Sequence, residues 1–217
     1  MKMINKNRKG FTLVEMMLSL AIIMLIGGVV VSLVVSISNS FTTTYNIDDS
    51  ADYAMLYAKG FENSFLANSQ KPFASGSECY WEVKPNAGVP TLRVKTPENS
   101  DEVSVFDPQF LGSSSNPKWN IMMFYKWDDA TECVYYRVLL KDNLNATDYT
   151  YMYEGSFWVP RYNDRKTNSG AASRSIYVDE DSEAMTDTVL DDHGFDSSRF
   201  SSEQLDGTYH AKIYYKA

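Results

Sequence analysis

From Phe11 to Ser38 the chain carries one charge, Glu15, in an otherwise apolar run broken only by small Ser, Thr and Gly residues. Lys2, Lys6, Arg8 and Lys9 stand directly before it. No other feature limits the fold as strongly. A backbone in lipid must satisfy its own hydrogen bonds, so such a run is helical and spans about 42 Å at the helical rise. The basic flank predicts a cytoplasmic N-terminus. A carboxylate inside such a helix is costly, which makes Glu15 a functional candidate from the outset.

A secretory signal does not account for this pattern. Such signals have a shorter apolar core and a small-x-small cleavage site, and Ser36-Ile37-Ser38 is only a weak match. A plain uncleaved anchor gives no reason for Gly10 and Glu15 to flank the start of the run. The stretch Gly10-Phe11-Thr12-Leu13-Val14-Glu15 resembles the processing site of type IV pilins and type II secretion pseudopilins. The resemblance covers roughly residues 6–40. It implies a prepilin peptidase that cuts after Gly10 on the cytoplasmic side, and methylation of the new amine of Phe11. It also implies that Glu15 pairs with the N-terminal amine of a neighbouring subunit. Many pilins carry a proline in this helix at the position matching Ser32; this chain does not.

Elementary electrostatics fits that role for Glu15. It lies four residues after Phe11, about 6 Å along a helix. Near lipid headgroups the carboxylate stays hydrated. In a packed bundle of helices it is dehydrated and needs a cation, and the amine released by cleavage supplies one at the right depth. The pair sets register more than it stabilises, because desolvation offsets much of the attraction.

Loss of residues 1–10 removes four cations and no acid, so the net charge of −8 becomes −12. This balance argues against broad, charge-driven nucleic-acid binding, which needs Lys and Arg to displace counterions. Cys79 and Cys133 are the only cysteines, and the predicted orientation puts both outside the membrane. They are a candidate disulfide. There is no cysteine or histidine spacing typical of zinc, no phosphate-binding loop and no hydrolase motif. The expectation is a protein that is not an enzyme, with no cofactor and no metal.

The predicted organisation is a leader over 1–10, a long helix over 11–70 whose assembly half is 11–38, and a β-rich domain outside the cytoplasm over 71–217. Ile47, Ala51, Ala54, Ala58, Phe61 and Phe65 recur at helical spacing and predict a core-facing stripe. Beyond residue 71, aromatic and β-branched runs predict strands over 79–84, 90–95, 102–106, 120–127, 132–140, 149–159, 175–178 and 208–215. The pair 120–127 and 132–140 reads as a hairpin. The fold class is α+β: a long N-terminal helix packed on one mainly antiparallel sheet, which the pilin resemblance also implies. Segments 112–118 and 163–174 read as exposed loops.

Residues 179–207 are rich in acid, and a solvated acidic loop is favoured over a calcium site built from Asp187, Asp191, Asp192 and Asp196. Strand alternation puts Tyr149, Tyr151 and Tyr153 on one face. A half-buried sheet face is favoured there over an exposed surface for stacking on sugars or a partner. The functional expectation is a minor subunit of a type IV pilus-like filament. The alternatives are a pseudopilin of a secretion or DNA-uptake system, and a non-polymerising anchored adhesin. Expected partners are prepilin peptidase, other pilin subunits, the membrane assembly platform and, before assembly, lipid. The expected location is a single-pass cytoplasmic-membrane precursor, then an extracellular or periplasmic filament.

Overall fold

The computed structural model describes residues 13–71, 74, 76–86, 89–99, 101–106, 112–113, 116–143, 150–159 and 175–216. It divides into two compact units, one ending at Ile47 and one from Asp48 to Ala217. Helix α1 (Leu13–Ser69) contributes residues to both. In the first unit its apolar side chains are exposed along the whole described run, from Leu13 at 79% to Ile37 at 53%.

In the second unit the later turns of α1 lie in a core with two principal antiparallel sheets. The first holds β1 (Glu78–Asn86), β2 (Val89–Lys95), β3 (Val103–Ser104), β9 (Ser175–Val178) and β10 (Lys212–Lys216), in the order β3-β2-β1-β10-β9. The second holds β6 (Trp119–Asp128), β7 (Cys133–Asp142) and β8 (Thr150–Trp158), in the order β6-β7-β8. A two-stranded ribbon, β4 (Gly112–Ser113) and β5 (Asn116–Pro117), occupies the described part of a segment expected as a loop. The expected α+β architecture is present, but the single expected sheet is two. Local alternation marks strands well and does not say which sheet each joins.

The predicted stripe is the centre of this core. Ala54, Ala58, Phe61 and Phe65 are fully buried, and Tyr57, absent from the expected stripe, joins them. Phe61 is the hub. Its ring lies 6.3 Å from Trp81 of β1, 4.6 Å from Tyr125 of β6, 5.8 Å from Tyr136 of β7 and 5.6 Å from Phe157 of β8. One side chain thus meets both sheets, and burying an aromatic of this size contributes about 2–3 kcal/mol. Polar tips are tied to backbone or hydroxyls. Tyr57 donates to the Pro90 carbonyl at 2.8 Å, the Trp81 indole to Ser64 Oγ at 2.9 Å, and Tyr215 to the Ser69 carbonyl at 3.1 Å.

The hairpin β6–β7 turns through residues 129–132. Asp128 accepts from Ala130 N at 3.0 Å and from Thr131 Oγ1 at 2.8 Å, and Glu132 adopts φ 55°, the left-handed conformation the turn needs. A Cβ at Gly155 of β8 would collide with the Tyr136 hydroxyl, so glycine there admits a ring from the next strand.

The acidic segment departs most from expectation. It is not a solvated loop. Met185, Leu190 and Phe195 are buried against Met122, Phe124 and Leu139, on the face of the three-stranded sheet turned away from α1. A short helix α2 (Asp187–Asp192) follows the N-cap Thr186, and a 3-10 turn (Ser197–Arg199) follows Asp196. The last predicted strand starts later than expected, at Lys212, because His210 instead forms an isolated bridge to Tyr125.

Candidate processing and assembly site

Gly10 and Phe11 lie outside the described residues. Glu15 is described and is the acidic residue in the first turn of α1. Anionic groups are favoured there, because the first backbone N–H groups of a helix lack carbonyl partners. Around it Leu13, Val14, Met16 and Met17 are 65–79% exposed, so the carboxylate is set in an apolar surface. A helix long and apolar enough to cross a membrane runs from Leu13 to Ser40, 28 residues, with none of it buried. Where a hydroxyl interrupts the run, the backbone can absorb it: Ser40 Oγ donates to the Ser36 carbonyl at 3.0 Å. A Cβ at Gly27 or Gly28 would meet nothing within 4 Å, so these positions are open for close approach by another helix.

The other candidates from the sequence resolve differently. The expected bridge is corrected: Cys79 and Cys133 are both free thiols. Cys79 stands on β1 opposite Tyr215 of β10, whereas Cys133 opens β7 opposite Trp158 of β8. They belong to different sheets. Burial pushes the Cys79 thiol up to about 12, far from a reactive thiolate.

Tyr151 and Tyr153 are half-buried and pack on the helix-side core, with Tyr153 stacked 6.4 Å from Tyr136. They are therefore not an exposed stacking face; Tyr149 and Tyr162 lie outside the described residues, as does the 163–174 loop. Two of the carboxylates weighed for calcium, Asp191 and Asp196, cap local turns. Asp191 accepts from the backbone and hydroxyl of Ser197 at 3.0 and 3.1 Å. Asp196 accepts from Ser198 Oγ at 2.6 Å and from Arg199 Nε at 3.0 Å. Among the described residues no three His, Cys, Asp or Glu side chains gather as a metal site.

Two polar sites in the folded domain, at Glu62 and at Arg137, were not anticipated. The Tyr136 hydroxyl donates to Glu62 Oε1 at 2.7 Å, and Lys59 Nζ lies 2.7 Å from Glu62 Oε2. Burial, reinforced by that carboxylate, drives the Tyr136 pKa well above its ordinary value. Arg137, 8% exposed, sits in the middle of β7. A signal for it was available: a cation in mid-strand between Tyr136 and Val138 has to find a partner.

A family model described as the prokaryotic N-terminal methylation motif matches residues 5–34, the signature of type IV pilins and pseudopilins. Neither a curated protein nor a solved structure matches the chain. The motif supports a type IV pilin-like or pseudopilin protein. It implies processing by prepilin peptidase and assembly with other pilins, and the apolar helix fits a single-pass membrane-anchored precursor.

Proposed function

We propose that this chain is a minor subunit of a type IV pilus-like filament. It is cut after Gly10, methylated at Phe11 and drawn into the filament by its N-terminal helix. It is the peptidase's substrate and not itself an enzyme. The observation that carries the reading is the described run Leu13–Ser40, apolar and exposed throughout, with Glu15 in its first turn. An apolar surface of this extent needs either lipid or other helices around it, and the same surface serves both in turn. Exchange of lipid for neighbouring helices dehydrates Glu15, and the methylated amine of an adjacent Phe11 is the cation that meets it. A minor rather than a major role is supported by the size and acidity of the segment beyond residue 71, with several connecting segments over 71–217.

The test is the intact mass and N-terminal sequence of the protein from its own host, with and without prepilin peptidase. The expected result is a peptidase-dependent start at N-methyl-Phe11. A start at Met1 in both strains makes the protein a static anchor. A start near Asn39 makes it an ordinary secreted protein. Either result rejects the proposal.

A further inference from the structure

Strand β8 ends its sheet, and its register shows which of its groups face outward. Pairing with β7 runs without a break from Cys133↔Trp158 to Lys141↔Thr150. Just past that ladder Val159 N donates to the Glu132 carbonyl at 3.1 Å, so the odd-numbered residues of β8 bond β7. The even-numbered residues Met152, Glu154, Ser156 and Trp158 turn their N–H and C=O groups to the opposite side. No described residue gives a backbone bond to that side. The edge is open: Glu154, Ser156 and Trp158 are exposed, Trp158 at 54%.

This edge lacks the features that usually keep strands from pairing with one another. The outer strands of the five-stranded sheet are short, two residues in β3 and four in β9. Along the outer side of β6, Trp119, Ile121 and Met123 are buried. By contrast β8 has nine residues, with no Pro, no Lys and no bulge in its ladder. Its one charge, Glu154, is drawn to Arg137 of its own sheet at 2.8 Å. Long, flat, unguarded edges are templates for another strand.

We propose that the occupant is β8 of a second copy of this chain, antiparallel and centred on Gly155, so that two three-stranded sheets join into one. The outward residues are the argument for a second copy. Read in reverse they complement themselves: Trp158 of each copy falls opposite Met152 of the other, and Glu154 opposite Ser156. The first pair sets a thioether against an aromatic ring, and the second gives a carboxylate a hydroxyl donor. A two-residue shift one way sets Glu154 against its own copy, a like-charge pair. A shift the other way sets Trp158 against Glu154 and loses both apolar pairs. The central position faces itself at a non-bonded pair, where Cα atoms approach to about 4.5 Å, and a glycine stands there. The join carries about eight backbone hydrogen bonds over about 20 Å. It is isologous and closes at two copies, so it is distinct from head-to-tail filament contacts, and its failure leaves the filament reading untouched.

The experiment uses the full chain, isotopically labelled, with detergent micelles in excess over protein. Hydrogen exchange at the amides of Met152, Glu154, Ser156 and Trp158 is followed as protein concentration rises to about 1 mM. Exchange at these four amides should slow with concentration, by at least about tenfold toward saturation. Ser156→Pro removes one outward N–H without touching the bonds to β7, and should abolish the concentration dependence. Ser156→Lys, now opposite Glu154 of the other copy, should tighten pairing about tenfold, and Ser156→Glu should weaken it by a similar factor. No concentration-dependent protection, or equal effects of the Lys and Glu variants, overturns the proposal. Protection independent of concentration means that the chain covers its own edge, and overturns it. Self-association that leaves these four amides unprotected places the contact elsewhere and overturns it too.

Discussion

Arg137 Nη1 donates to the carbonyl oxygen of Gln204 at 2.6 Å, from the middle of β7 to the end of the segment that wraps the sheet. The same guanidinium lies 4.2 Å from the Tyr209 ring centre, and its Nε is 2.8 Å from Glu154 Oε1. One cation thus holds the acidic segment, a neighbouring strand and an aromatic ring together. Arg137→Ala leaves a part-buried carbonyl without its donor and uncovers Tyr209. It should cost about 2–4 kcal/mol. Urea unfolding measures that cost, and hydrogen exchange should quicken in residues 185–209 before it does in β1 and β10. Uniform quickening across the chain would mean the segment is not a separately held layer.

Glu102 makes an acid-side prediction. Burial pushes its carboxyl up, but hydrogen bonds from Tyr80 at 2.5 Å and Lys84 at 3.3 Å, with the charges of Lys84 and Arg93, outweigh it. The pKa ends below the usual carboxylate value. A group that binds its proton less readily when folded contributes stability above its unfolded pKa, and loses that contribution as pH falls through its folded pKa. Glu102→Gln should therefore be less stable than the parent at neutral pH, and the two stability curves should converge as pH falls through the lowered folded pKa of Glu102. A difference that stays constant with pH would assign the effect to packing instead.

The two thiols should behave differently. Cys79 is fully buried with its pKa pushed up to about 12, while Cys133 is half-buried at a strand end with its Sγ 3.4 Å from the Thr131 carbonyl. A maleimide at neutral pH should label Cys133 and spare Cys79 until denaturant is added. Protection of both thiols, reversed by a reductant, would restore the disulfide that an even pair outside the membrane first suggested.

Glu15→Val tests the assembly role. If the carboxylate meets the amine of a neighbouring Phe11, the variant leaves that amine dehydrated without a counter-charge, a loss of about 3–5 kcal/mol. Cleavage and membrane abundance should be unchanged while incorporation into filaments falls steeply. Normal incorporation would assign Glu15 a different task.

The sequence by itself determined the parts whose physics is local. The apolar run from Phe11 to Ser38 could only be a helix for lipid or for other helices, and its single carboxylate stood out without any structure. Helical spacing marked Ala54, Ala58, Phe61 and Phe65, and strand alternation located 175–178 to the residue. Tertiary structure decided what depends on distant partners. Met185, Leu190 and Phe195 are sparse among carboxylates, so no window of sequence shows their burial; only the outer face of β6 and β7 does. Cys79 and Cys133 looked like a pair until their strands fell into different sheets. His210 bridges Tyr125 of β6 before the chain enters β10 and pairs with β1 and β9, a choice between strands far apart in sequence. Periodicity reports which side of an element is apolar; it carries no information about which element comes to cover it.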